Sequence, residues 1–238
     1  MTDETSIAEE LGWQYEAMAN VVAKKLSHRF IKVWYAASCE EALVKILGLI
    51  PDGATVGRGD SLTLDQVGVL EELKRRSRNR VLDPFERDDE GYLTTGYDQE
   101  RHVELERECL LSDVFLTGVN AITLDGKMVS TDATGNRVAP MLFGPKKVIV
   151  VAGANKIVKD LDEALVRIRI TAAPLNARRH FVKHHAERFA DLPCVKTGFC
   201  SDCNKPSRIC KKTVVIEGES HFYPDRMHLV VIGKHLGI

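Results

Sequence analysis

The chain has 238 residues, with 33 basic and 34 acidic side chains and a formal net charge of −1, a balance that argues against a broad nucleic-acid footprint or a membrane-surface role. Its longest apolar runs are strand-sized, far short of the ~20 residues of a membrane span, and the acidic start Met1-Thr2-Asp3-Glu4 lacks the apolar core of a secretory signal. Six cysteines in such a chain point to a reducing, cytoplasmic compartment, with thiols or metal rather than disulfides.

Taken in order, Ile7, Leu11, Tyr15, Met18, Val22 and Leu26 recur at three- and four-residue steps and predict a helix over residues 6–27. Ile31 to Ala36 reads as a strand. Ser38 then caps a helix from Cys39 to Ile50, with Glu41 at the capping-box position and Pro51 after its end. A short strand from Ala54 to Val56 runs into Gly57-Arg58-Gly59-Asp60-Ser61, and a helix follows from about Thr63 to Arg76. Arg80 to Leu82 is strand-like, Asp83 to Gly96 a polar loop, and Asp98 caps a charged helix to about Ser112.

Val114 to Thr117 is the next strand. Ala121 to Thr123 and Met128 to Ser130 flank Asp125-Gly126, a strong hairpin signal. Lys147 to Ala152 is an apolar run suited to a strand buried on both faces. It ends in Gly153-Ala154-Asn155-Lys156, before a helix capped by Asp160 and Glu163 that runs to about Ile170. A basic, His-rich stretch, a cysteine segment without helical period from Pro193 to Cys210, and closing strands at Thr213–Ile216 and His228–Ile232 complete the chain. The alternation of strand and helix favours a single α/β domain over residues 1–238, with a mostly parallel sheet covered on both faces.

Four thiols, Cys194, Cys200, Cys203 and Cys210, fall within seventeen residues. An irregular loop gains little from burying them as small hydrophobes and much from a shared centre, because metal binding supplies folding energy. The spacing fits neither the common zinc motifs nor the usual ferredoxin run. Iron–sulfur and zinc both stay open, since soft thiolates permit either. Cys39 and Cys109 lie on predicted helices and are assigned to the core.

In open α/β sheets ligands sit beyond the carboxyl ends of the strands. That rule points to the loop with Gly57, Arg58, Gly59 and Ser61, to Asn136-Arg137 and to Lys156 as a site for a small anionic metabolite, with Asn120 and Asp125 as further polar candidates, while Asp125 and Asn136 also fit as plain turn residues. Backbone N–H groups of the glycine loop could cradle an anion, although Asp60 sets a like charge in its middle and an ordinary βα turn accounts for the loop alone. Arg137→Ala is expected to weaken ligand binding with little change in melting temperature. His180, His184 and His185 share a mixed basic helix face that reads as solvated.

The segments 56–64 (VGRGDSLTL), 116–126 (LTGVNAITLDG), 134–140 (TGNRVAP) and 148–158 (VIVVAGANKIV), in that order, resemble the lactate-utilisation (LUD) domain family, in the short stand-alone form with a cysteine-rich C-terminus. The resemblance implies a fold like the ribose-5-phosphate isomerase, glucosamine-phosphate deaminase and CoA-transferase group. It also implies a part in oxidation of L-lactate or a related 2-hydroxy acid, with iron–sulfur redox partner proteins and a cluster, 4Fe-4S favoured, on the four C-terminal cysteines. The alternatives are a non-redox isomerase- or transferase-like enzyme, or a metabolite-binding regulatory subunit, for a phosphorylated or CoA-linked ligand and with structural zinc. No catalytic residue is assigned by family membership, and a homo-oligomer is left open.

Overall fold

Apolar runs bounded by turn residues form the strands: β1 (Ile31–Ala36), β2 (Thr55–Arg58), β3 (Arg80–Leu82), β4 (Val114–Thr117), β5 (Ala121–Thr123), β6 (Met128–Asp132), β7 (Lys147–Gly153), β8 (Ile157–Val158), β9 (Lys212–Ile216) and β10 (Met227–Ile232). The α-helices are α1 (Ala8–Ser27), α2 (Cys39–Gly48), α3 (Leu62–Val67), α4 (Val69–Arg76), α5 (Gln99–Leu110), α6 (Val138–Leu142), α7 (Leu161–Arg167), α8 (Ala173–Lys183) and α9 (Pro193–Thr197). This computed structural model describes residues 5–95 and 99–238. The expected cap at Asp98 lies outside the described residues.

Six strands make one sheet in the order β1-β10-β7-β4-β2-β3, with every neighbouring pair parallel. Side chains alternate across it, so β7 feeds two cores at once. Val148, Val150 and Ala152 pack with Val22 and Leu26 of α1 and Cys109 of α5. Ile149 and Val151 pack on the other face with Ile46 of α2, Leu64 of α3 and Leu73 of α4. Each such fully buried aliphatic side chain contributes roughly 1.5–3 kcal/mol relative to exposure. Both faces are covered, as the alternation of elements requires.

Local caps behave as the sequence dictates. Ser38 Oγ accepts from Glu41 N at 3.3 Å while Glu41 Oε2 accepts from Ala37 N at 2.9 Å. Asp160 Oδ1 accepts from Glu163 N at 3.1 Å. The helix expected from Thr63 to Arg76 is divided, because Gly68 takes a left-handed φ of 76° that ends α3 and starts α4.

A second sheet, in the order β8-β5-β6-β9, was not foreseen. The expected hairpin is there, with Gly126 at a φ of 87° in its turn. Of the two closing strands, β10 joins the main sheet and β9 pairs antiparallel with β6, from Met128↔Ile216 to Asp132↔Lys212. Its residues are mostly exposed, which suits an edge, whereas all six residues of β10 are buried between two neighbours. α7 covers this sheet, burying Ala164 against Ala121 and Val129.

α7 continues through a π turn over Ile168–Ala172 into α8. Pro174 has no N–H to donate to the carbonyl four residues back, and the ladder widens just before it. Pro193 likewise starts a helix, so the cysteine segment is not wholly irregular: α9 carries Cys194. No helix among the described residues is long and apolar enough to cross a membrane.

Candidate functional site: a cationic cavity beside four cysteines

The loops leaving β2, β4 and β7 meet at the carboxyl edge of the main sheet, where the second sheet brings the end of β6. A cavity of about 240 Å³ opens between them. Of the residues singled out by sequence, Ser61, Asn120, Asn136, Arg137 and Lys156 line it, while Gly57, Arg58, Gly59 and Asp125 do not. Arg58 is buried behind the wall, 2.9 Å from Asp65 Oδ1 and 3.7 Å from Asp83 Oδ1. Asp125 belongs to the hairpin turn, where it binds Thr123 and Lys127.

The two glycines make room for side chains. A Cβ on Gly59 would stand 2.9 Å from Arg137 Cγ, and one on Gly57 would stand 3.0 Å from Cys109 Sγ. Arg137 therefore reaches the cavity over a bare stretch of backbone. Its Nη1 donates to Gly118 O at 3.2 Å, and its Nη2 donates to Asn120 Oδ1 at 2.9 Å and Thr131 O at 2.7 Å. Asp132 holds the loop below it, accepting from Arg137 N at 3.0 Å, Val138 N at 3.2 Å and Ala133 N at 2.7 Å. Arg137 thus ties β4 to β6. The expectation that its loss would spare stability is revised on this ground. Asn136 Nδ2 is committed to Glu106 Oε1 of α5 at 2.5 Å, and His102 Nε2 reaches the same oxygen at 3.2 Å.

The like charge at Asp60 is neutralised from a helix 119 residues away in sequence. Arg179 lies 3.3–3.4 Å from both its oxygens, and His180 Nε2 lies 3.2 Å from Oδ2. Burial alone would raise the pKa of Asp60. The His180 hydrogen bond and the charges of Arg179, His180 and Arg58 outweigh it and hold the carboxyl well below the usual range. His184 Nδ1 stands 3.1 Å from His180 Nδ1, and burial with the charges of Arg179 and Arg87 pulls His184 down to about 3.

Asp60, His180 and His184 have ligand atoms within 4.8 Å of one another, close enough to hold a metal ion. A cation there would sit against the Arg179 guanidinium, so the arrangement reads as an ion-pair network. The basic helix face expected to be solvated is in this part an inner wall. Asn176, Arg179 and His180 share it through helical spacing of three and four residues, a signal that shows the common face but not its partner.

Lys156 is 4% exposed on a single 3₁₀ turn, Ala154–Lys156, directly after β7. Its Nζ has one hydrogen-bond partner, Thr63 Oγ1 at 3.2 Å, and no carboxylate pairs with it among the described residues. Burial, then the charges of Arg167 and Arg137, pull its pKa down to about 7. Arg167 stands behind the cavity, donating to Asn120 O at 2.5 Å and Asn155 O at 3.4 Å.

Cys194, Cys200, Cys203 and Cys210 line one small pocket with Pro174, Leu192 and Ile209. Its support is a cluster of Ala177, Phe189, Leu192 and Val195. Asp202 N donates to Cys200 Sγ at 3.3 Å, and Arg208 bridges Cys203 O at 2.7 Å and Cys210 O at 3.1 Å. Burial, then the proximity of Cys203, Cys210 and Cys200, pushes the Cys194 thiol up, so a nearby cation would be needed to hold it as a thiolate. Cys109 stays in the core, its thiol pushed up to about 11 by burial, and Cys39 packs beside the α2 core.

The two features touch. Ala173, Ile209 and Cys210 line both the cavity and the cysteine pocket. Lys211 N donates to Asp132 O at 3.0 Å, which fixes the residue after Cys210 to the strand end that also holds Arg137.

No curated protein matches the chain in sequence. A crystal structure of a DUF162 family protein from Deinococcus radiodurans at 1.70 Å resolution is similar to it, with 16% identity and a TM-score of 0.43, over 94% of this chain and 98% of that one. A likeness this loose bears on no residue of the site. The sequence model of the LUD domain matches residues 19–232, nearly the whole α/β unit with its cavity and its four cysteines, and the chain belongs to the LUD domain family.

Proposed function

We propose that this LUD domain protein is an iron–sulfur component of the oxidation of L-lactate or a related 2-hydroxy acid, acting with iron–sulfur redox partner proteins. The observation that carries the reading is the shared wall: Cys210 borders the cationic cavity and the cysteine pocket alike. A cluster held by the four cysteines would supply one-electron transfer beside a bound substrate. The chain's own residues bind and orient that substrate. Lys156 supplies positive charge for a carboxylate, with Ser61 and Asn176 as polar groups of the same wall. The cavity suits a few-carbon acid better than a CoA thioester, since about 240 Å³ falls below the usual range of drug-sized pockets.

Four thiolate donors in one pocket suit a cluster, and the same soft donors would also hold a zinc ion. The backbone N–H of Asp202 on Cys200 Sγ and the Arg208 guanidinium beside Cys210 are of the kind that stabilise a thiolate-bound centre and tune it. The test is iron and acid-labile sulfide analysis of protein purified without air. The reading expects about four irons per chain for a 4Fe-4S cluster. Zinc without iron would move the protein to the non-redox alternative, an isomerase- or transferase-like enzyme or a regulatory subunit.

A further inference from the structure

We propose that Lys156 is the proton-exchanging group of the cavity, neutral when the cavity holds no anion and an ammonium when a small carboxylate is bound, so that anion and proton enter together. The inference rests on the reading that the cavity takes a small organic anion.

The geometry supplies the reason. Lys156 is held in place by the turn after β7 and is 4% exposed. Each element around it offers either a neutral group or another cation. α3 gives Thr63 Oγ1 at 3.2 Å, and the start of α6 and the end of α7 give the guanidinium groups of Arg137 and Arg167. The side-chain carboxylates across the cavity are already committed, Asp60 to Arg179 and His180, Asp132 to the backbone at the start of α6, and Glu106 to Asn136 and His102, while Ile238 also lines the cavity and its terminal carboxylate forms no ion pair with Nζ. Backbone closes another side, where a Cβ on Gly237 would meet Nζ at 2.9 Å. An ammonium in that position lacks its counter-charge, and a buried charge without a partner gives up its proton before it pays the full desolvation cost.

The sign follows. The folded pKa is lowered from 10.5 to about 7. Between those values the unoccupied protein holds Lys156 as an amine. An anion beside Nζ supplies the missing partner and raises its pKa again, so binding takes up a proton in that window. Below the lower value the lysine is already charged, and uptake vanishes.

The experiment is titration calorimetry of metal-loaded protein with pyruvate, and separately with sulfate, in buffers of different ionisation enthalpy at about pH 6 and about pH 8.5. Uptake approaching one proton per ligand is expected at the higher pH, and close to none at the lower. Lys156→Arg should bind without proton uptake. Lys156→Met should bind at least about tenfold more weakly and take up no proton. A nitrogen NMR titration of Nζ in the anion-free protein should show a midpoint near that of the lowered pKa. The proposal is overturned if neither anion binds, if wild type binds without uptake at the higher pH, if uptake persists in Lys156→Met, or if the Nζ midpoint is that of an ordinary lysine. Uptake with sulfate while pyruvate does not bind supports the proton coupling and counts against the 2-hydroxy-acid reading. Absence of iron overturns the redox reading and leaves the uptake unchanged.

Discussion

Replacing Arg137 by alanine tests whether the cavity wall is a ligand contact or a structural tie. Arg137 makes three hydrogen bonds, to Gly118 O, Asn120 Oδ1 and Thr131 O. Bonds to a charged donor contribute roughly 1.5–3 kcal/mol each, or roughly 4.5–9 kcal/mol gross. Removing a guanidinium from a desolvated site recovers part of that, and Asn120 Oδ1 keeps Thr131 N at 2.8 Å. We expect a net loss of about 3 kcal/mol, which in a chain of this size lowers Tm by roughly 6–12 °C. Arg137→Lys keeps the charge but cannot span three acceptors, and should fall between wild type and alanine. Urea and thermal unfolding of the three proteins measure this. A drop under about 2 °C for Arg137→Ala, with anion binding lost, would show that Arg137 serves the ligand alone and refute the structural role.

Gly59→Ala should destabilise by about 1–3 kcal/mol in the same assays, because the new Cβ would stand 2.9 Å from Arg137 Cγ and 3.2 Å from Thr117 Oγ1; an unchanged melt would mean that the wall yields freely. Cys203→Ser should reduce metal content and speed proteolysis within residues 193–210, whereas Cys39→Ser should cost packing alone; equal metal content in the two variants would separate Cys203 from the centre. The lowered pKa of Asp60 makes a stabilising contribution that is complete above the unfolded value of about 3.9 and is lost as pH falls below it. Asp60→Asn should therefore lower Tm at neutral pH and flatten the acid limb of the stability profile; a variant that parallels wild type through that limb contradicts the assignment.

What could be read from the sequence is what local chemistry encodes. Ser38 with Glu41, Asp160 with Glu163, and Asp125-Gly126 between two β-prone runs each act within a few residues, and each forms as expected. The cysteine spacing grouped four thiols that do line one pocket. What was not legible depends on distant partners. Nothing near Asp60 reveals that Arg179 and His180 will neutralise it. Gly59 is visibly a glycine, but only the packed chain shows that its missing side chain makes room for Arg137. β9 carries a strand pattern without any mark of the sheet it will join, and its pairing with β6 is what brings Cys210 to the cavity.

The central claim is that a redox centre and an anion site share one wall, and electron paramagnetic resonance of protein purified without air and then reduced tests it most directly. The account predicts an iron–sulfur signal that shifts when pyruvate saturates the cavity, with the shift lost in Lys156→Met while the signal itself remains. Protein that carries zinc and gives no signal, or a cluster whose signal is indifferent to the bound anion, would contradict it.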